Sequence, residues 1–580
     1  MTPSGDQKAS ARDRASSFLE RAGERFLAAA TKAGRAAWVQ NTFITDDTEA
    51  IAADASRELS VAVMDLAAEA AQFKELALPD EIARQVELIK RAVELPVPSA
   101  HDAQVELTQT VAALQGMYGK GSYDGKDLGE LERTMAESRD PDELLDAWRG
   151  WRTVSPPMRQ PYARFVSLAN EGARDLGFAD LGAMWRSGYD MPADEFMLDM
   201  DRLWLQVKPL YDLLHSYTRA ALAKAYGPEA VPLGGPIPAH LLGNMWSQSW
   251  ENIFPLVAPK GSHSSVDLTA LLREKGVDAL EMVRYGERFF TSLGFEPLPA
   301  SFWERSMFVK PMDRDVICHA SAWHVDLDQD VRLKMCIEIT GTDFITIHHE
   351  LGHTFYQRAY SSQPVLFRDS ANDGFHEAIG DVIALSVTPS YLAGVGLLPQ
   401  EPSGDDDVLL LLHKALEKVA FLPFALLVDK WRWQVFCGET GPADYNRAWW
   451  DLVHRYQGVG PPIARTEADF DPGAKFHIPG NMPYARYFLA FILQFQIHRA
   501  FARQAGYEGP LHRYSVYGDK AAGKKLANML EMGCSRPWPE ALFALTGERQ
   551  LDAAPLLEYF APLERWLHEQ NAGQTTGWET

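Results

Sequence analysis

The chain has 580 residues, 46% of them hydrophobic, enough for a large core. Its 79 acidic residues outnumber its 56 Lys and Arg, for a formal charge of −23. An acid excess of this size argues against nucleic acid, whose phosphates need a basic face. No apolar run reaches the length of a membrane span, and "VLLLLHKAL" (408–416) is broken by His413 and Lys414.

In chain order, "MTPSGDQKASARDRASS" has no apolar stretch of the secretory type. The protein is therefore read as intracellular, or as periplasmic or secreted with its leader trimmed. Residues 10–40, 46–76, 80–95 and 102–117 place apolar residues at three- and four-residue spacing with charges between, which predicts helices. The pattern recurs at 127–150, 157–175, 193–226, 407–436, 441–456 and 483–505. Strand-like alternation is confined to 314–324 and 331–340, and breakers cluster at 119–127, 227–238 and 458–466. There is no linker, low-complexity tract or internal repeat. The expectation is one mainly α unit with a small sheet.

"ITIHHELGHTFY" (345–356) contains His349-Glu350-Leu351-Gly352-His353. Residues four apart lie on one helix face, so His349 and His353 can offer two imidazoles to one Zn²⁺, with Glu350 beside them to take a proton from water. Thr342-Asp343 is expected to start this helix. The competing reading is a helix whose histidines are incidental. Two imidazoles leave a zinc short of a third protein ligand. In "NDGFHEAIGDVIALS" (372–386), Gly374 reads as a break, Glu377 falls in the first turn after it, and Asp381 lies one turn later on the same face. Glu377 suits the third ligand, and Asp381 suits the other ring nitrogen of a ligand histidine. A solvated Glu-x-x-x-Asp face is the alternative.

"HHELGH", "GFHEAIGDVIALS", "CHASAW" (318–323), "HLLGNMWSQSW" (240–250) and "DPGAKFHIPGNMPYARYFLAFILQFQ" (471–496) together resemble the angiotensin-converting-enzyme family of zinc peptidyl-dipeptidases, in the family's order. The absence of a tandem duplication makes the likeness one to a single-domain, bacterial-type member. The resemblance implies a helical ellipsoid with a deep groove, N-terminal lid helices and a small antiparallel sheet beside the zinc helix. Residues 20–570 would form the catalytic domain, with a flexible 1–19 and a tail at 571–580. It also implies a monomer acting on small peptides with a free C-terminal carboxylate.

Residue by residue, the likeness makes Glu350 the general base, Tyr487 the oxyanion donor and His477 its assistant. His319 and the Ala320 carbonyl would contact substrate. Gln248, Lys475 and Tyr484 would grip the terminal carboxylate. A related mono-carboxypeptidase carries arginine at the Gln248 position, so glutamine favours dipeptide release. Phe421 and Phe491 would line an apolar pocket with Asp343 and Glu417 at its polar edge. A catalytically silent peptide-binding homologue is the remaining alternative. Tyr189 and Arg486 match one chloride site. The other keeps Arg152 and Trp449 but has Val453 in place of an arginine, so it is expected to be weak or empty. Cys318 and Cys336 match a family disulfide across a predicted hairpin, two reduced thiols being the alternative. Cys437 and Cys534 have no family partner.

Overall fold

Long amphipathic segments with few breakers leave helices as the main building material. The computed structural model describes residues 5–73, 76–259 and 266–579 and is mainly helical. The first three long helices, α1 (Gly5–Thr42), α2 (Asp46–Ala70) and α3 (Asp80–Arg91), bury Phe18, Leu66, Phe73, Val86 and Ile89 against one another. They form a small core of their own, separate from the main one. Residues 1–4 of the segment expected to be flexible lie outside the described residues. Helix α1 begins at Gly5, and Ala11, Ala15, Phe18 and Leu19 are buried, so much of that segment is docked.

The pattern expected as one helix over 127–150 is split into Leu128–Glu137 and Pro141–Trp151. Pro141 sits in the first turn of the second piece, where its missing N–H costs nothing, and Asp140 caps that turn. Helix α4 (Ala193–Tyr226) crosses the body and meets the C-terminal segment: Asn571 donates to the Leu213 carbonyl, Gly577 N–H donates to Ser216, and Trp578 packs on His215. The expected tail therefore belongs to the packed structure.

Sheet structure is sparse. Strands β1 (Ile237–Pro238) and β4 (Val459–Gly460) pair in parallel, and β2 (Ser321–His324) and β3 (Val331–Lys334) form an antiparallel hairpin with Ser321 opposite Lys334. The hairpin is shorter than the alternation predicted. Residues before Ser321 instead pair with the end of α1, Ile317 N–H on the Asn41 carbonyl and Ile44 N–H on the Asp315 carbonyl. Cys318 and Cys336 are joined by a disulfide at the base of this hairpin.

Four further helices build the site: α5 (Gly341–Tyr360), α6 (Asp373–Leu385), α7 (Asp407–Phe436) and α9 (Ala485–Gln504), with α8 (Tyr445–Gln457) behind α7. Helix α5 is capped by Thr340, whose hydroxyl accepts from Asp343 N–H, two residues earlier than expected. Its apolar face (Phe344, Ile347, Leu351, Phe355) is buried. Helix α6 lies between α5 and α9 and buries Phe375, Ala378, Ile379, Val382 and Ile383. Asn372 caps it, so Gly374 lies inside the first turn and Glu377 in the second.

Candidate active site

The i, i+4 spacing of helix α5 brings His349 Nε2 within 3.0 Å of His353 Nε2. From α6, Glu377 Oε2 lies 3.5 Å from the first and 3.9 Å from the second. Ligands about 2.0–2.1 Å from a tetrahedral zinc stand roughly 3.4 Å apart. The three atoms therefore fit the corners of such a site, and they are the group among the described residues able to hold a metal ion.

The approach of the two helices depends on two glycines. A Cβ on Gly352 would lie 2.7 Å from the Gly380 Cα, and one on Gly380 would lie 2.7 Å from His349 Nδ1. Any larger residue would push Glu377 away from the histidines or displace the His349 ring.

Around the ligands, His349 Nδ1 is 3.3 Å from Asp381 Oδ1, which fixes the ring with Nε2 toward the metal position. Asp381 is in turn held by Lys418 of α7 (3.3 Å) and by Gln494 Nε2 of α9 (2.9 Å). Burial disfavours its charge, but Lys418 and His349 outweigh that and hold its carboxyl at about 2. His353 Nδ1 lies 2.8 Å from His376 Nδ1. The adjacent His348 points the other way, with Nδ1 2.7 Å from the Phe344 carbonyl and Nε2 3.0 Å from Tyr391 Oη. Its burial lowers the imidazole to about 4 and leaves it neutral and structural.

A cavity of about 1060 Å³ opens over this centre and is lined by His319, Ala320, His349, Glu350, His353, Glu377 and Tyr487, with α3 on its far wall. Glu350 is 8% exposed, and burial raises its carboxyl above the ordinary range, with His349 pulling it back. Tyr487 stays protonated, because burial and then Glu377 and Asp373 push its hydroxyl up against the pull of Arg486. His477 stands with its ring 6.0 Å from that of Tyr487 and 4.6 Å from that of Tyr484, its Nδ1 buried without a partner. Burial, reinforced by Lys475, Arg432 and Arg486, lowers it to about 2, so the imidazole is neutral. His319 Nδ1 lies 2.8 Å from the Ala320 carbonyl oxygen, so these two expected substrate contacts engage each other.

Gln248 comes together with Lys475 and Tyr484, which lie more than 200 residues further along the chain in one stretch. Lys475 Nζ donates to Gln248 Oε1 (2.8 Å), and Tyr484 Oη reaches the same oxygen (3.3 Å). The Lys475 ammonium also sits 4.0 Å above the Trp246 ring. Burial lowers it to about 7, with the carboxylate of Glu132 pulling the other way. The ring of Tyr484 is 4.9 Å from that of Tyr487, which links this cluster to the metal cavity. Phe421 and Phe491 face each other at 4.9 Å, beneath Lys418. Glu417 pairs with Lys418 and Lys414, whereas the Asp343 carboxylate is occupied by Glu338 N–H at 2.7 Å.

A family model described as angiotensin-converting enzyme matches residues 9–578. The chain belongs to the angiotensin-converting-enzyme family. It is 50% identical over 455 residues to angiotensin-converting enzyme of Bos taurus, covering 77% of this chain and 35% of that protein. It is 47% identical over 442 residues to that of the leech Theromyzon tessulatum, covering 75% of this chain and 71% of that protein. An angiotensin-converting enzyme-like protein Ace3 of Mus musculus is 45% identical over 455 residues, covering 77% of this chain and 62% of that protein. The chain spans about a third of the length of the mammalian angiotensin-converting enzymes it matches.

In this angiotensin-converting-enzyme family member, both expected chloride positions are lined by the protein's own acceptors, a carboxylate at one and chiefly backbone carbonyls at the other. Asp373 Oδ2 lies 3.3 Å from Tyr189 Oη and 3.2 Å from Arg486 Nε, between the two groups expected to hold the ion. At the other position, Arg152 Nη2 donates to the Met245 carbonyl (3.0 Å), Nη1 donates to that of Trp148 (3.2 Å), and Asp471 lies 4.0 Å from Nε. Trp449 is buried in the aromatic core with Phe424 and Trp431. The free thiols are separate, Cys437 exposed and Cys534 buried.

Sequence reasoning did not single out Lys418, Gln494, Asp373 or Glu132. A signal existed for the first two. Each is a polar residue inside an apolar helical run ("EKVAFLPFALLV", "FLAFILQFQ"), and such a residue must find a buried partner.

Proposed function

We propose that this chain is a zinc peptidyl-dipeptidase, removing dipeptides from the free C-terminus of small peptides. The observation that carries the reading is the convergence of Lys475, Tyr484 and Gln248 one ring contact from Tyr487, which lines the cavity over the His349–His353–Glu377 centre. A cation with neutral donors at a set distance from the reacting centre measures the cut from the chain end. Glutamine at position 248, where the mono-carboxypeptidase relative has arginine, supports a two-residue step.

His349, His353 and Glu377 would hold a zinc ion, which when bound would supply an activated water and a Lewis acid for the scissile carbonyl. Glu350 takes a proton during attack and returns one to the leaving amine, a role its raised carboxyl pKa suits. Tyr487 donates its hydroxyl proton to the oxygen on which negative charge develops, and neutral His477 stands behind it. Asp381, itself held by Lys418 and Gln494, keeps the His349 ring oriented. In place of the chloride expected at Tyr189 and Arg486, we assign the anion's role to Asp373.

Digestion of a decapeptide, read by mass spectrometry with and without chelator, tests the reading. Products shortened by two residues from the C-terminus, abolished by chelation, are expected. One-residue steps, or cleavage that chelator leaves intact, would overturn it.

A further inference from the structure

The carboxylate cluster is built on an unusual piece of backbone. Ser247, immediately before Gln248, has φ +55°, in the left-handed region that a residue with a Cβ rarely adopts. Such a conformation persists where its surroundings over-determine it. Here Ser247 is 1% exposed, and its carbonyl accepts from both Gln457 Nε2 and Trp250 Nε1, each at 3.0 Å. Its hydroxyl donates to the Ala239 carbonyl (2.8 Å), and its N–H donates to that of Asn244 (3.1 Å).

Gln457 is the remote member of this set. It is fully buried at the last residue of α8, and its own carbonyl is fixed by Tyr211 Oη at 2.6 Å. Its amide orientation is dictated by the carbonyl it faces, since only the NH₂ group can satisfy the Ser247 oxygen. Relaxing Ser247 to negative φ would turn the 247–248 peptide and swing Gln248 away from Lys475 and Tyr484.

We infer that Gln457 is a positioning residue for dipeptide release: by locking Ser247 in the left-handed conformation it aims Gln248 into the carboxylate clamp. The inference rests on the clamp reading above and assigns no contact between Gln457 and substrate.

The test is the Gln457→Leu variant, assayed on one peptide prepared with a free C-terminal carboxylate and with a C-terminal amide. KM for the acid is expected to rise about tenfold with kcat nearly unchanged, because uniform binding is lost, while the amide shows no rise. Adding Ser247→Gly, which takes φ +55° at no steric cost, is expected to restore KM for the acid. Trp250→Phe removes the other donor and provides the same comparison if Gln457→Leu does not fold. An unchanged KM in folded variants, equal rises for acid and amide, or a loss confined to kcat would overturn the inference. A wild type indifferent to the terminal carboxylate would remove the clamp itself, and the positioning role with it.

Discussion

At the scale of single residues, Glu350 and Lys475 have environments that differ from those of ordinary surface charges. Glu350 is buried beside the ligand histidine and is read as the proton carrier. Glu350→Gln is therefore expected to retain zinc while losing roughly 10²- to 10⁴-fold in kcat. Metal analysis beside turnover checks this, and a variant with near-normal turnover would refute the role. Lys475 is held at about 7 by burial, so the free clamp loses its cation as pH rises through that value. Substrate binds the charged form. KM for peptides with a free carboxylate is thus expected to be flat below about pH 7 and to climb above it, without the same climb for amidated peptides. A flat KM from about pH 6 to about pH 9 would contradict the assignment. The zinc-ligand pattern was legible in the chain because i, i+4 spacing is a local property of one helix. The partner of Lys418 and Gln494 was not, because three helices meeting around Asp381 set what these two polar residues hold.

At the scale of elements, the distance between α5 and α6 decides whether the site exists. Gly352 and Gly380 permit it, and Gly380→Ala would place a Cβ against the His349 ring. Zinc affinity is expected to fall by about tenfold or more, with about 1–3 kcal/mol lost from folding stability. Equilibrium zinc competition measures the first, and unchanged affinity would show that the helices have slack. Asp373 ties the start of α6 to Arg486, next to Tyr487 at the start of α9. The wild type is therefore expected to work without added chloride, whereas Asp373→Ala should lose roughly tenfold in chloride-free buffer and recover when chloride is added. Chloride activation of the wild type would contradict this. Helix limits at 193–226 and 407–436 follow directly from hydrophobic period, while the sheet came out shorter than its alternation suggested. Alternation reports which face is apolar but not which backbone pairs, and the strand-like stretch before Ser321 pairs with α1.

At the scale of the whole molecule, the site is a product of tertiary assembly. Its ligands come from two helices, its supports from α7 and α9, and its clamp from the segments around 248 and 475–484. Helices α1 to α3 keep their own small core and meet the body at several points, among them Arg84 and Arg91 on Asp190 and Asn41 on Ile317. A lid role for them is an expectation from resemblance alone, because their pattern of charges says only that one face meets water. A metal that binds only the folded chain also stabilises it, so the zinc site and the fold are thermodynamically linked. The most direct measurement is a zinc titration of the metal-stripped chain beside its Glu377→Gln variant. One zinc per wild-type chain, bound at least about tenfold more weakly by the variant, is the predicted result. No zinc uptake by the wild type, or equal affinity in the two, would contradict the account.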